Sequence, residues 1–169
     1  MASKEPLIAL DKIDMENPIA GPDEIRQLNL QRFEMEQLDA IVYADIETYS
    51  CAGYKDLTEN EFWVRGHMPG SPLMPGVVMV EAAAQLSSYL TLRYDLLGGN
   101  MVGLGGLEEV RFRGPVYPGS RLLILCQMYK RRPRRLVSSR FQGIVDGKIV
   151  VDGVIKGVPL PVAASKFNG

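Results

Sequence analysis

Residues 77–96 constrain the fold of this chain more than any other stretch. The run follows Pro75-Gly76, includes Ala82-Ala83-Ala84 and has no internal breaker, so it predicts one long helix. Its flanks are apolar almost all round, which suits a helix in the centre of a fold and not one laid on a surface. Such a helix must be wrapped, and the rest of the chain supplies strands. Residues 39–48 are rich in β-formers, and 54–58 give a second extended run. After a glycine-rich stretch come strand candidates at 108–113, 121–130, 136–145 and 148–158. Asp146-Gly147 has the chemistry of a hairpin turn, and the short connections predict an antiparallel meander. A short helix is expected from Pro22 through Arg32. The predicted order is helix, two strands, buried helix, four strands: an α+β domain with a curved antiparallel sheet around a long central helix.

At 169 residues the chain has the length of one domain. Residues 1–21 mix charge and turn formers and read as an N-terminal arm, 22–158 as the folded domain, and 159–169 as a flexible tail. A formal net charge of −1 argues against a nucleic-acid binder, because neutralising phosphates calls for a strongly basic surface. Cys51 and Cys126 lie far apart without metal-ligand spacing, so neither a disulfide framework nor a metal site is expected. No run approaches the roughly 18 apolar residues of a membrane span, and the start lacks a signal-peptide core. These features predict a cytoplasmic protein with no membrane insertion.

The chemistry concentrates between Gly66 and Gln85. His67 is the only histidine, set in a loop with three glycines and three prolines within the eleven residues 66–76. Prolines restrict the backbone, so a reactive side chain there has little freedom left to lose. Glu81 falls in the second helical turn beside Val77, Val78, Val80 and Ala82. A carboxylate among such neighbours is costly to ionise and suits proton donation. Gln85 lies one turn on and could orient that carboxyl. At the helix start, the N–H groups of Gly76 and Val77 have no intrahelical acceptor and could polarise a carbonyl. Each feature also has a bland reading. A lone histidine is often structural, a glutamate can face solvent on an amphipathic helix, and a Pro-Gly helix start is often just hydrated.

Taken together, Gly66-His67-Met68-Pro69-Gly70, then Pro75-Gly76-Val77, then Glu81-Ala82-Ala83-Ala84-Gln85 resemble the 3-hydroxyacyl-[acyl-carrier-protein] dehydratases of type II fatty acid synthesis, in particular the FabZ branch. A second block, Val110-Arg111-Phe112-Arg113-Gly114-Pro115-Val116-Tyr117-Pro118-Gly119, is similar to that family's strand leading into a PVxPGD turn. The resemblance spans about residues 22–158. It implies a hot-dog fold and a lyase that converts 3-hydroxyacyl thioesters on acyl carrier protein into enoyl thioesters without a cofactor. It also implies a homodimer, with a trimer of dimers as a further assembly, in which His67 of one subunit acts as base and Glu81 of the other as acid. Gly76, Val77 and Gln85 then belong to the substrate-binding set.

The chain departs from the family pattern at Met68, where relatives carry Phe, and at Ser120, where they carry an acidic residue. The larger departure is Leu30-Gln31-Arg32-Phe33-Glu34-Met35-Glu36-Gln37-Leu38-Asp39, where an apolar family segment close to PHRYPFLLVD has become charged. That marks a place where substrate fit or subunit packing differs. The basic run Lys130, Arg131, Arg132, Arg134 and Arg135 suggests either a dock for an acidic carrier protein or a solvated hairpin tip. A hot-dog thioesterase, a non-catalytic acyl-binding protein and an isomerising dehydratase are the alternatives. The last typically carries Asp where Glu81 stands.

Overall fold

A computed structural model describes residues 5–161; residues 1–4 and 162–169 of the expected tail at 159–169 lie outside that range, while Pro159 still belongs to the last strand. The predicted central helix is present as α2, Gly76–Arg93, and its sequence explains its place. Val78, Met79, Ala82, Ala83, Leu86, Tyr89 and Leu90 are all buried. The side of α2 that carries these residues meets apolar partners, and the helix packs against five strands, β2 through β6.

Those strands belong to one six-stranded antiparallel sheet: β1 Ala40–Asp45, β2 Ser50–Asp56, β3 Val102–Phe112, β4 Arg121–Arg132, β5 Leu136–Val145 and β6 Lys148–Pro159. A long helix wrapped by such a sheet is the hot-dog fold. Asp146 and Gly147 form the β5–β6 turn, both at positive φ (49° and 73°).

The strand order β1-β2-β4-β5-β6-β3 corrects the expected four-strand meander. β3 does not pair with β4; it lies at the far edge beside β6, and the chain crosses back through 113–120. This crossing is rich in Pro and Gly and so cannot join a ladder. Its backbone ties to neighbouring loops instead, Met74 N–H to Val116 O at 2.7 Å and Leu57 N–H to Ser120 O at 2.9 Å. β3 also starts at Val102, six residues before the expected strand, because its glycines hide the β pattern. A side chain on Gly105 would meet Val158 Cγ1 at 2.6 Å, so the position requires a bare Cα.

The first helix, α1, spans Pro22–Leu28 and stops short of Arg32. Asn29 takes an extended conformation (ψ 134°) and turns its amide toward α2, where Nδ2 donates to Gln85 O at 2.9 Å. Expected as a loose lead-in, the arm from residue 5 to 20 instead lies on the sheet's outer face. Ile8 and Ile13 are buried there with Val42, Ala52, Leu125 and Ile144. Gln142 clamps it, accepting from Leu7 N–H at 2.8 Å and donating to Glu5 O at 3.0 Å. No helix among the described residues is long and apolar enough to cross a membrane.

Candidate active site

The loop between β2 and α2 delivers His67 in a fixed pose. Its backbone N–H donates to Trp63 O at 2.7 Å, its carbonyl accepts from Leu73 N–H at 3.1 Å, and Nδ1 sits 2.8 Å from Leu73 O. A carbonyl can only accept, so Nδ1 carries the proton of the neutral ring. Nε2 is left with a free lone pair, which makes it the basic atom. His67 opens onto a groove of about 590 Å³ lined also by Gly76, Val77, Met79, Phe112 and Arg113.

The start of α2 forms one wall of that groove. Val78 N–H and Met79 N–H both bond to Pro75 O, at 2.9 and 3.3 Å. The N–H groups of Gly76 and Val77 have no such acceptor, and Val77 is 75% exposed, so this first turn faces open space. A carbonyl oxygen seated there would be polarised by two backbone donors and the positive end of the helix.

Glu81 does not share this groove within one chain. Partly buried, it lines a separate, narrower one with Gln31, Ala84, Ser87, Ser88, Val102, Gly103, Leu104 and Lys156. Gln85 holds its carboxylate, with Nε2 donating to Glu81 Oε1 at 2.7 Å. The rest of that amide is spoken for: Nε2 also donates to Met35 O at 2.6 Å, and Oε1 accepts from Gln37 N–H at 2.9 Å. Every polar atom of the buried Gln85 side chain thus has a partner, which fixes both its orientation and that of Glu81.

The segment at 30–39 that departs from the family pattern is the seat of this network, a role the sequence did not reveal. Its charged residues tie it to neighbouring elements: Arg26 of α1 grips Glu36 with Nε and Nη2, at 2.8 and 2.7 Å, and Asp39 accepts from Lys55 Nζ at 3.2 Å and Asp56 N–H at 2.7 Å on β2. Arg32 donates to the carbonyls of Asn29, Gln31 and Arg26. The Arg26 guanidinium holds the Glu36 carboxyl below the usual carboxylate range. Leu30, Phe33 and Met35 are left facing solvent. Asn29 and Gln37, which anchor the loop to α2, carried only the generic signal of polar residues beside a strand.

Gln85→Leu is expected to cut turnover about tenfold by freeing Glu81, and to cost about 1–3 kcal/mol by stranding Gln37 N–H. Steady-state rates beside urea unfolding check both parts.

The basic run occupies the end of β4 and the β4–β5 turn, and all five residues are exposed. Arg131 Nε donates to Leu96 O at 2.6 Å and Arg134 N–H to Leu97 O at 2.7 Å, just past the end of α2. In a single chain the run is therefore an 18-residue helix away from Gly76, about 27 Å. Cations at a helix C-terminus are favourable in themselves. Cys51 and Cys126 face each other across β2 and β4, and their thiols donate to Leu86 O and Ala83 O of α2. Burial pushes both thiols up, so they belong to the core. Among the described residues no three His, Cys, Asp or Glu side chains gather as metal ligands.

Residues 29–154 match the model of the FabA-like domain. The chain is 35% identical over 133 residues to a 3-hydroxyacyl-[acyl-carrier-protein] dehydratase FabZ of Rhizobium rhizogenes, covering 78% of this chain and 83% of that protein. Its fold is similar to that of the dehydratase heterocomplex ApeI:P of Xenorhabdus doucetiae, with a TM-score of 0.67 and 13% identity over 80% of this chain and 90% of that one. A sigma28-regulated virulence protein of Campylobacter jejuni is similar over 92% of this chain and 95% of its own, with a TM-score of 0.61 and 13% identity.

Proposed function

The chain belongs to the FabA-like family, and from that premise we propose that its residues 22–158 dehydrate 3-hydroxyacyl thioesters on acyl carrier protein, with His67 as base and Glu81 as acid. The observation that carries the assignment of roles is the His67 tautomer. Leu73 O accepts a hydrogen bond from Nδ1–H, which leaves Nε2 bare in a groove walled by the free N–H groups of Gly76 and Val77. Nε2 removes a proton from C2, and the negative charge gathers on the thioester oxygen beside the Gly76 N–H. As the electron pair forms the C2–C3 double bond, the C3 hydroxyl leaves with the Glu81 proton as water. Proton transfer from His67 to Glu81, directly or through water, resets the pair.

The placement of His67 and Glu81 in different grooves of one chain supports a site shared between two subunits. β3 is an edge strand of 11 residues with Leu104, Leu107 and Phe112 exposed, a surface that a soluble fold seldom leaves unpaired. A two-fold axis at Leu107 would pair β3 with its copy and set Phe112 opposite Val102. Phe112 borders the His67 groove and Val102 the Glu81 groove, so the two would merge across the dimer. For the basic hairpin, a role in receiving the acidic carrier protein then depends on reaching the partner's groove.

The test is to incubate purified protein with a 3-hydroxyacyl carrier protein and follow loss of water by mass. Enoyl product is expected. Release of free acid would make the protein a thioesterase, and no product at any chain length would make it an acyl-binding protein.

A further inference from the structure

β3 contains a defect with a directional effect. Glu108 pairs with Val154 and Arg111 with Asp152, so three steps along β3 match two along β6. The extra residue is accommodated by Glu109, which takes φ 51°, a conformation that side-chain-bearing residues seldom adopt inside a strand. Because side chains alternate with period two, one inserted residue exchanges the faces of everything beyond it. Without the bulge, Phe112 would share the outer face of Glu108. With it, Phe112 pairs with the buried Val151 and turns toward α2, while Arg113 takes the outer side and grips Asp152 with Nε and Nη2.

The ring that is turned inward lands on Gly76. A Cβ at position 76 would meet Phe112 Cε1, Cζ and Cδ1 at 2.6, 2.8 and 2.9 Å. Yet the ring is not core, for Phe112 is 54% exposed and lines the same groove as His67. An aromatic ring laid on the bare Cα of a helix start, with its other face open to a reactive groove, is half of a slot.

We propose that Phe112 is a substrate-positioning residue: its ring, packed on the bare Cα of Gly76, is the apolar wall of a slot that seats the flat thioester beside the Gly76 N–H, and the Glu109 bulge turns it there. The inference rests on the dehydratase reading for the identity of the ligand, though the slot would seat a thioester whatever reaction followed. Glycine at 76 is then required twice, once for its N–H beside the carbonyl and once to admit the ring.

Binding of an unreactive amide analogue of a 3-hydroxyacyl-pantetheine, measured by calorimetry, tests the slot apart from turnover. Phe112→Ala is expected to weaken binding and raise KM about tenfold while kcat changes less than about threefold, since it removes apolar wall and no proton-transfer group. Phe112→Tyr keeps the ring and should restore binding to within about twofold. Gly76→Ala should weaken binding at least about tenfold by displacing the ring, and adding Phe112→Ala to it should cost little more than Phe112→Ala alone, as contacting residues are non-additive. Unchanged binding in Phe112→Ala, or a double variant whose loss is the sum of the two single losses, overturns the proposal. Phe112→Leu serves in the same role if the alanine variant does not fold. A wild type that yields no enoyl product, with this binding pattern intact, would sink the dehydratase reading and leave the slot standing.

Discussion

His67→Ala should lower dehydration by about a thousandfold or more, because it removes the group proposed to take the C2 proton. No other residue lining the groove can replace it: the chain has no other histidine, and among the groove's lining residues only Arg113 is charged. Arg113 is a cation already engaged with Asp152. The fold should be unaffected, since the imidazole is only partly buried and, among the described residues, its side chain bonds to a loop carbonyl alone. Circular dichroism and an unchanged unfolding midpoint, alongside the mass assay, separate loss of chemistry from loss of structure. Activity within tenfold of wild type would remove His67 from the mechanism.

The second large effect is expected at Glu81. Glu81→Gln keeps the shape and still lets Gln85 donate to Oε1, but it has no proton to give the departing hydroxyl. A fall of about a hundredfold to a thousandfold in kcat is expected, with KM nearly unchanged. Mixing this variant with His67→Ala then asks whether the site is shared. A mixed dimer would hold one site with both residues intact and one with neither. After full subunit exchange of equal amounts, about a quarter of the wild-type rate should return. No recovery despite proven exchange would place both residues in one chain's own site.

Much of this was written in local sequence. Val77 onward announces a buried helix because it is apolar around most of its circumference and has no breaker, and the bounds of 136–145 are legible because Asp146-Gly147 follows as a turn. What sequence could not show were features fixed by distant partners. β3 was half hidden, since its glycines look like loop until Val158 and Leu160 are seen packed where side chains would be. The crossover between β3 and β4 was missed because short spacing implies a hairpin, whereas Pro115 and Pro118 forbid one. The pairing of Glu81 with Gln85 could be read at helical spacing, but the clamp on Gln85 by Met35 and Gln37 spans about fifty residues and leaves no periodic trace. Phe112 was visible only as one letter of a family motif. Its inward turn depends on a one-residue slip that no pattern of hydrophobicity marks.

The arm over the outer face has a consequence for the order in which the molecule comes together. Leu7 is held by Gln142, 135 positions later in the chain, so the first of these residues to be synthesised is among the last to find its seat. Until β5 is in place, Val42, Ala52 and Leu125 line an apolar patch whose cover, the arm, lacks its Gln142 clamp. The nascent protein therefore passes through a stage in which the back of β1, β2 and β4 is bare. Encounters between incomplete chains at that stage are the hazard that the arm, once docked, brings to an end.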